Sequence, residues 1–148
     1  MRRAVSALAF LLLCLSCIRP SSEESFIRTE DAPGGVFCFE ASLADTSLTY
    51  DFALYTRLDA PHRQLSHLEG IPLKIDWISP TGVLYSEQQI LPVAGKGRRL
   101  MTTDLVVPYW TGVSPREFGL WKINVSPLAR VPGFRGIGLI VTHSDGTR

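Results

Sequence analysis

The chain has 148 residues, with 15 Lys and Arg against 14 Asp and Glu, a formal net charge of +1. That length is one domain's worth, and so even a balance gives no sign of a nucleic-acid partner, which would leave a basic face or stripe. Its 3 cysteines are too few for a disulfide framework, so the fold has to hold by its hydrophobic core.

Taken in order, the first element is a leader. Arg2 and Arg3 precede a nearly unbroken apolar run from Ala4 to Leu15. The run is shorter than the about 20 residues that a membrane-spanning helix needs. It fits a secretory signal peptide over residues 1–16. Leu15-Ser16-Cys17 resembles the lipobox of bacterial lipoproteins, with Cys14 standing where that pattern usually has Leu. The resemblance implies cleavage before Cys17, lipidation of Cys17, and a mature chain 17–148 held on a membrane of the cell envelope. Several acyl chains anchor durably where a single one does not. Cys38 then has no intramolecular partner.

Residues 17–35 read as a flexible tether. Ser21-Ser22-Glu23-Glu24-Ser25, with Pro20, Pro33 and two glycines nearby, cannot bury enough apolar surface to offset the cost of ordering. A folded domain is expected over 36–148. Val36 to Phe39 predicts a short strand with Cys38 facing away from Phe37 and Phe39. Ser47 to Leu58 predicts a longer one, with Leu48, Tyr50, Phe52 and Leu54 on one face. A polar connection, Asp59 to Gly70, leads to Ile71, Leu73, Ile75 and Trp77, which alternate with Lys74 and Asp76. Ser79-Pro80-Thr81-Gly82 is turn chemistry, with proline presetting φ and glycine permitting a positive one. Short strands are expected at Val83–Tyr85 and Gln89–Leu91, a turn at Gly95–Arg99, and a strand at Leu100–Pro108. Trp110 then falls in a loop. Trp121, Ile123 and Val125, and again Ile137, Leu139 and Val141, predict two strands meeting as a C-terminal hairpin around a long loop. Seven or eight short strands and no helical period point to an all-β antiparallel sandwich.

Motifs for chemistry are weak. Gly95-Lys96-Gly97 lacks the spacing with which a P-loop cradles phosphates. His62 and His67 have no third ligand nearby, so no metal site is expected. His143-Ser144-Asp145 are chain neighbours and cannot take up triad geometry. Asp51, Asp76 and Glu87 read as solvated strand charges. Trp77 and Trp121 are in phase with core residues, which leaves Trp110 as the aromatic most open to a binding role. No catalytic residue and no cofactor is expected.

From about Tyr50 to Val141 the chain resembles GldH, a gliding-motility lipoprotein family of Bacteroidetes. The resemblance is carried by Tyr50-Asp51-Phe52 with Arg57, by Leu73-Lys74-Ile75 leading to Ser79-Pro80-Thr81-Gly82, and by Gly97-Arg98. Its fullest part is Gly119-Leu120-Trp121, Ile123, Val125 and Arg130, then Val131-Pro132-Gly133-Phe134 and Ile137-Gly138. Trp121, Ala129 and Gly136 depart from the Tyr, Met and Asp of the family pattern, and the Tyr-Pro-Tyr-Ser-Asn-Leu-like run expected before Leu73 is missing. The resemblance implies a non-enzymatic envelope lipoprotein that serves gliding or type IX secretion through contacts with other envelope or secretion-apparatus proteins. Arg130, Arg135 and Phe134, in a proline-shaped loop, are the candidate partner-binding residues together with Trp110. The alternative is a carbohydrate- or ligand-binding sandwich of an uptake system. That alternative requires two or three aromatics exposed on one concave face.

Overall fold

A computed structural model describes residues 22–93 and 102–145. The signal peptide, Cys17 and the Gly95–Arg99 turn lie outside the described residues. Eight strands are present among those described: β1 Ser22–Arg28, β2 Phe37–Leu43, β3 Leu48–Asp59, β4 Gly70–Ile78, β5 Leu84–Pro92, β6 Thr102–Val113, β7 Gly119–Pro127 and β8 Phe134–Asp145. They form two four-stranded antiparallel sheets, ordered β1-β8-β3-β6 and β2-β7-β4-β5. The expected all-β sandwich is the fold.

Alternation decides the core. In β2, Phe37, Phe39, Ala41 and Leu43 are buried while Cys38 faces out. Tyr50, Phe52, Leu54 and Leu58 of β3 meet Ile71, Leu73, Ile75 and Trp77 of β4 and Ile123 and Val125 of β7 between the sheets. Thr56 is buried in phase with them, and its hydroxyl donates to the Gly136 carbonyl at 2.8 Å, so no polar atom is stranded there.

Four expectations change. Residues 22–28, read as tether, pair with β8 along their whole length. Main-chain pairing does not need apolar side chains, and acidic residues suit an exposed edge strand. Phe26 stands opposite Gly138, as does Tyr55 on the other side, and the two rings meet edge to face at 5.3 Å over the missing side chain. The second change concerns the C-terminal pair. β7 and β8 are not a hairpin but belong to different sheets, and residues 128–133 cross between them. Among the described strands, only β4 and β5 are chain neighbours that also pair. Third, the two short strands expected around residues 83–91 are one continuous strand, β5, paired with β4 from Gly70 to Ile78. Last, β6 runs on to Val113, so Trp110 lies in a strand rather than a loop.

Candidate functional site

The site is built by two irregularities in β6. Phe52 of β3 faces Trp110, but Ala53 faces Pro108, which leaves Tyr109 as an extra residue in the ladder. Pro108 suits this place because it has no amide hydrogen to donate. Such a bulge re-aims side chains, and here Tyr109 and Trp110 lie stacked on one another, 5.1 Å apart and 11° from parallel. A second shift falls between Phe52 and Tyr50, where Gly112 adopts φ 64° and its amide donates to Asp51 Oδ1 at 2.6 Å. Glycine takes that conformation without a Cβ penalty.

The bulged strand brings Trp110 onto Trp77 of the opposite sheet. Those indoles stack at 5.0 Å and 12°. The Trp77 Nε1–H donates to the Tyr109 hydroxyl at 3.1 Å, so Trp77 and Tyr109 sit side by side and Trp110 lies across both. Trp77 also meets Phe52 and Trp121 edge to face, at 5.0 and 6.1 Å. The Trp121 Nε1–H donates to the Glu117 carbonyl at 2.9 Å. Both buried indoles therefore have their polar atoms satisfied within the protein.

In front of this stack is a concavity of about 310 Å³, walled by Leu43, Trp77, Tyr85, Trp110, Val113, Ser114, Pro115, Arg116 and Trp121. Trp77 is 3% exposed, but Tyr85 and Trp110 keep 49% and 36% of their surface in solvent. Among the described residues the lining is aromatic and apolar apart from Ser114 and Arg116, so it supplies stacking surface. Glu117, next in the chain, is turned away. Its carboxylate accepts from the Thr81 hydroxyl at 2.6 Å, and the Thr81 and Ser79 hydroxyls hold it below its ordinary pKa. This bond ties the β6–β7 connection to the β4–β5 turn.

The sequence-derived candidates do not converge. Trp110 is in this cleft. Phe134 is half-buried and packs edge to face on Phe37 at 5.8 Å, and Arg135 pairs with Asp59 at 2.6 Å. Arg130 is exposed on the β7–β8 crossover. That crossover leaves the far end of β7 from Trp121, about 20 Å along the strand at its ordinary rise. Cys17 lies outside the described residues. A second, polar depression is lined by Arg28, Glu30, Arg57, Asp59 and Arg135 with Phe26, and each of its arginines is already paired with a carboxylate. No metal-binding group of His, Cys, Asp or Glu is present among the described residues. Sequence reasoning placed Trp77 and Trp121 in the core correctly but missed that they also back a cleft. It missed Tyr85, Tyr109 and Arg116 outright. The available signal was Pro108-Tyr109-Trp110-Thr111-Gly112, an aromatic pair between two residues that disturb a strand.

No family model matches the chain, and no curated protein matches it. Solved structures overlap it loosely. The CspB protease of Clostridium perfringens shares 12% identity over 86% of this chain and 26% of that one, with a TM-score of 0.41. TmCBM61, solved with β-1,4-galactotriose, shares 12% over 74% and 61%, with a TM-score of 0.31. BtGH115A, a 4-O-methyl-α-glucuronidase with specificity for decorated arabinogalactans, shares 12% over 84% and 14%, with a TM-score of 0.36. The chain thus spans about a quarter of the CspB protein. Likenesses this loose decide neither ligand nor activity.

Proposed function

We propose that this protein is a non-catalytic binding domain of the cell envelope that holds a saccharide ring in the aromatic cleft. One observation carries the reading: Trp110 and Tyr85 are exposed on the rim of one concavity whose floor is fixed by Trp77 and Trp121. The axial C–H bonds of a pyranose make an apolar, weakly positive face, which matches the negative face of an aromatic ring. The volume, about 310 Å³, is at the lower end of the about 300–1,000 Å³ typical of small-ligand sites. It suits one or two sugar rings. The leader and the acylated Cys17 deliver the domain to a membrane surface in this reading.

Several of the residues behind the GldH resemblance have folding roles. Tyr50 is core, Asp51 caps the Gly112 amide, Arg57 pairs with Asp104, and Trp121, Ile123 and Val125 are buried. A second reading, contact with gliding or type IX secretion proteins as that resemblance implies, is favoured by Arg130, exposed and without an ion-pair partner among the described residues. The test is a glycan array probed with the full-length protein in detergent, followed by titration of the hits. Trp110→Ala with Tyr85→Ala is expected to abolish binding, while Arg130→Ala leaves it intact. An array with no hits sinks the saccharide reading.

A further inference from the structure

The saccharide reading leaves the charge of the ligand open, and the residues around the cleft constrain it. Among the described residues Arg116 is the one charged residue in the lining, and it is exposed. No carboxylate within hydrogen-bond or ion-pair reach neutralises it among the described residues. Two carboxylates of the adjoining segments are engaged elsewhere. Glu117 is held by Thr81, and Asp51 by the Gly112 amide. Glu87, two residues from Tyr85 on the same face of β5, is half-buried rather than solvated as expected, and does not line the cleft. One of its oxygens accepts from the Gln89 amide at 3.4 Å, and the other has no hydrogen-bond partner among the described residues.

The backbone that carries Arg116 is held in place. Pro115 before it is buried, and Glu117 after it is tied to the β4–β5 turn, so Arg116 projects from a connection fixed on both sides. An arginine presents a planar fork that takes a carboxylate through two parallel hydrogen bonds. A ring stacked on Trp110 or Tyr85 shares one concavity with that fork.

We propose that the cleft is selective for an acidic saccharide, a uronic-acid residue whose ring stacks on the aromatic rim and whose carboxylate pairs with Arg116. This rests on the saccharide reading of the same site. The test uses the full-length protein in detergent and trimers of galacturonate, glucuronate and mannuronate, each titrated as the free acid and as its methyl ester. The ester keeps the ring and removes the charge.

For at least one trimer the acid is expected to bind about tenfold more tightly than the ester in low salt, the size of one charge-assisted contact at a partly exposed site. Added salt narrows the gap. Arg116→Ala brings the acid down to the affinity of the ester and leaves the ester unchanged, and Arg116→Lys recovers part of the difference. Equal affinities for acid and ester, or array hits that are all neutral sugars, overturn the charge selectivity and leave saccharide binding standing. No binding of any trimer together with an empty array overturns both.

Discussion

Trp121 and Trp110 lie on the same cleft and differ in what holds them. Trp121 is 9% exposed, donates to the Glu117 carbonyl and packs against Trp77, so its removal opens a cavity and strands a carbonyl. Trp121→Ala is expected to cost about 3–5 kcal/mol, measured by denaturant unfolding. Trp110 stacks on its neighbours with 36% of its surface in water. Trp110→Ala is expected to cost about 1 kcal/mol, the scale of an aromatic pair, while the ligand is lost. A Trp121→Ala protein as stable as the wild type would show that the indole contributes nothing to the core. Trp110→Ala unfolding as severely as Trp121→Ala would make Trp110 a structural residue too.

At the scale of elements, β1 depends on two glycines of β8. A Cβ on Gly136 would run into the Ile27 carbonyl and come within 2.9 Å of the Phe26 ring, and one on Gly138 would lie 2.8 Å from the Ser25 carbonyl. Backbone cannot yield there without losing the ladder. Gly136→Ala is therefore expected to detach β1, costing about 1–3 kcal/mol and removing hydrogen-exchange protection from the Ser22–Arg28 amides. Protection unchanged over those residues would refute the role given to Gly136. β6 shows the opposite device. Its extra residues loosen an edge strand so that one end leans over the sandwich, and Asp51 fixes the lean through the Gly112 amide.

Across the whole molecule, ion pairs and hydrogen-bonded carboxylates join strands at the surface. The Asp104 carboxyl is held below its ordinary pKa by the Arg57 guanidinium, and that of Asp76 by Lys74 and then the Ser86 hydroxyl. Glu117 is lowered through Thr81 and Ser79. A carboxylate with a depressed folded pKa stabilises the fold above its unfolded value, about 4, and that stabilisation is lost as pH falls through the folded value. The melting temperature is expected to be level between about pH 7 and 5 and to fall below about pH 4. Each group is largely solvated, so each share is small. Asp104→Asn is expected to shallow the acid slope. A slope identical to wild type would show that the Arg57–Asp104 pair, at 2.7 Å, adds no stability.

Residue spacing alone sets which side of each strand is buried. A pleated strand sends successive side chains to opposite faces, so Phe37 and Phe39 in, Cys38 out, and Ile71 through Trp77 inward follow from spacing alone. The same local rule carried the all-β class and the core positions of Trp77 and Trp121. Tertiary structure decided which strand pairs with which. Alternation is identical whether β7 turns back on β8 or crosses to the other sheet, so the pattern leaves open that β7 pairs with β2 and β4 and β8 with β1 and β3. β1 was hidden because most of its side chains are polar and its pairing with β8 runs through main-chain bonds, which composition does not record. The cleft was hidden for a related reason. Tyr109 and Trp110 share a side only because an extra residue breaks the period-two rule, and that break is visible only against the partner strand β3.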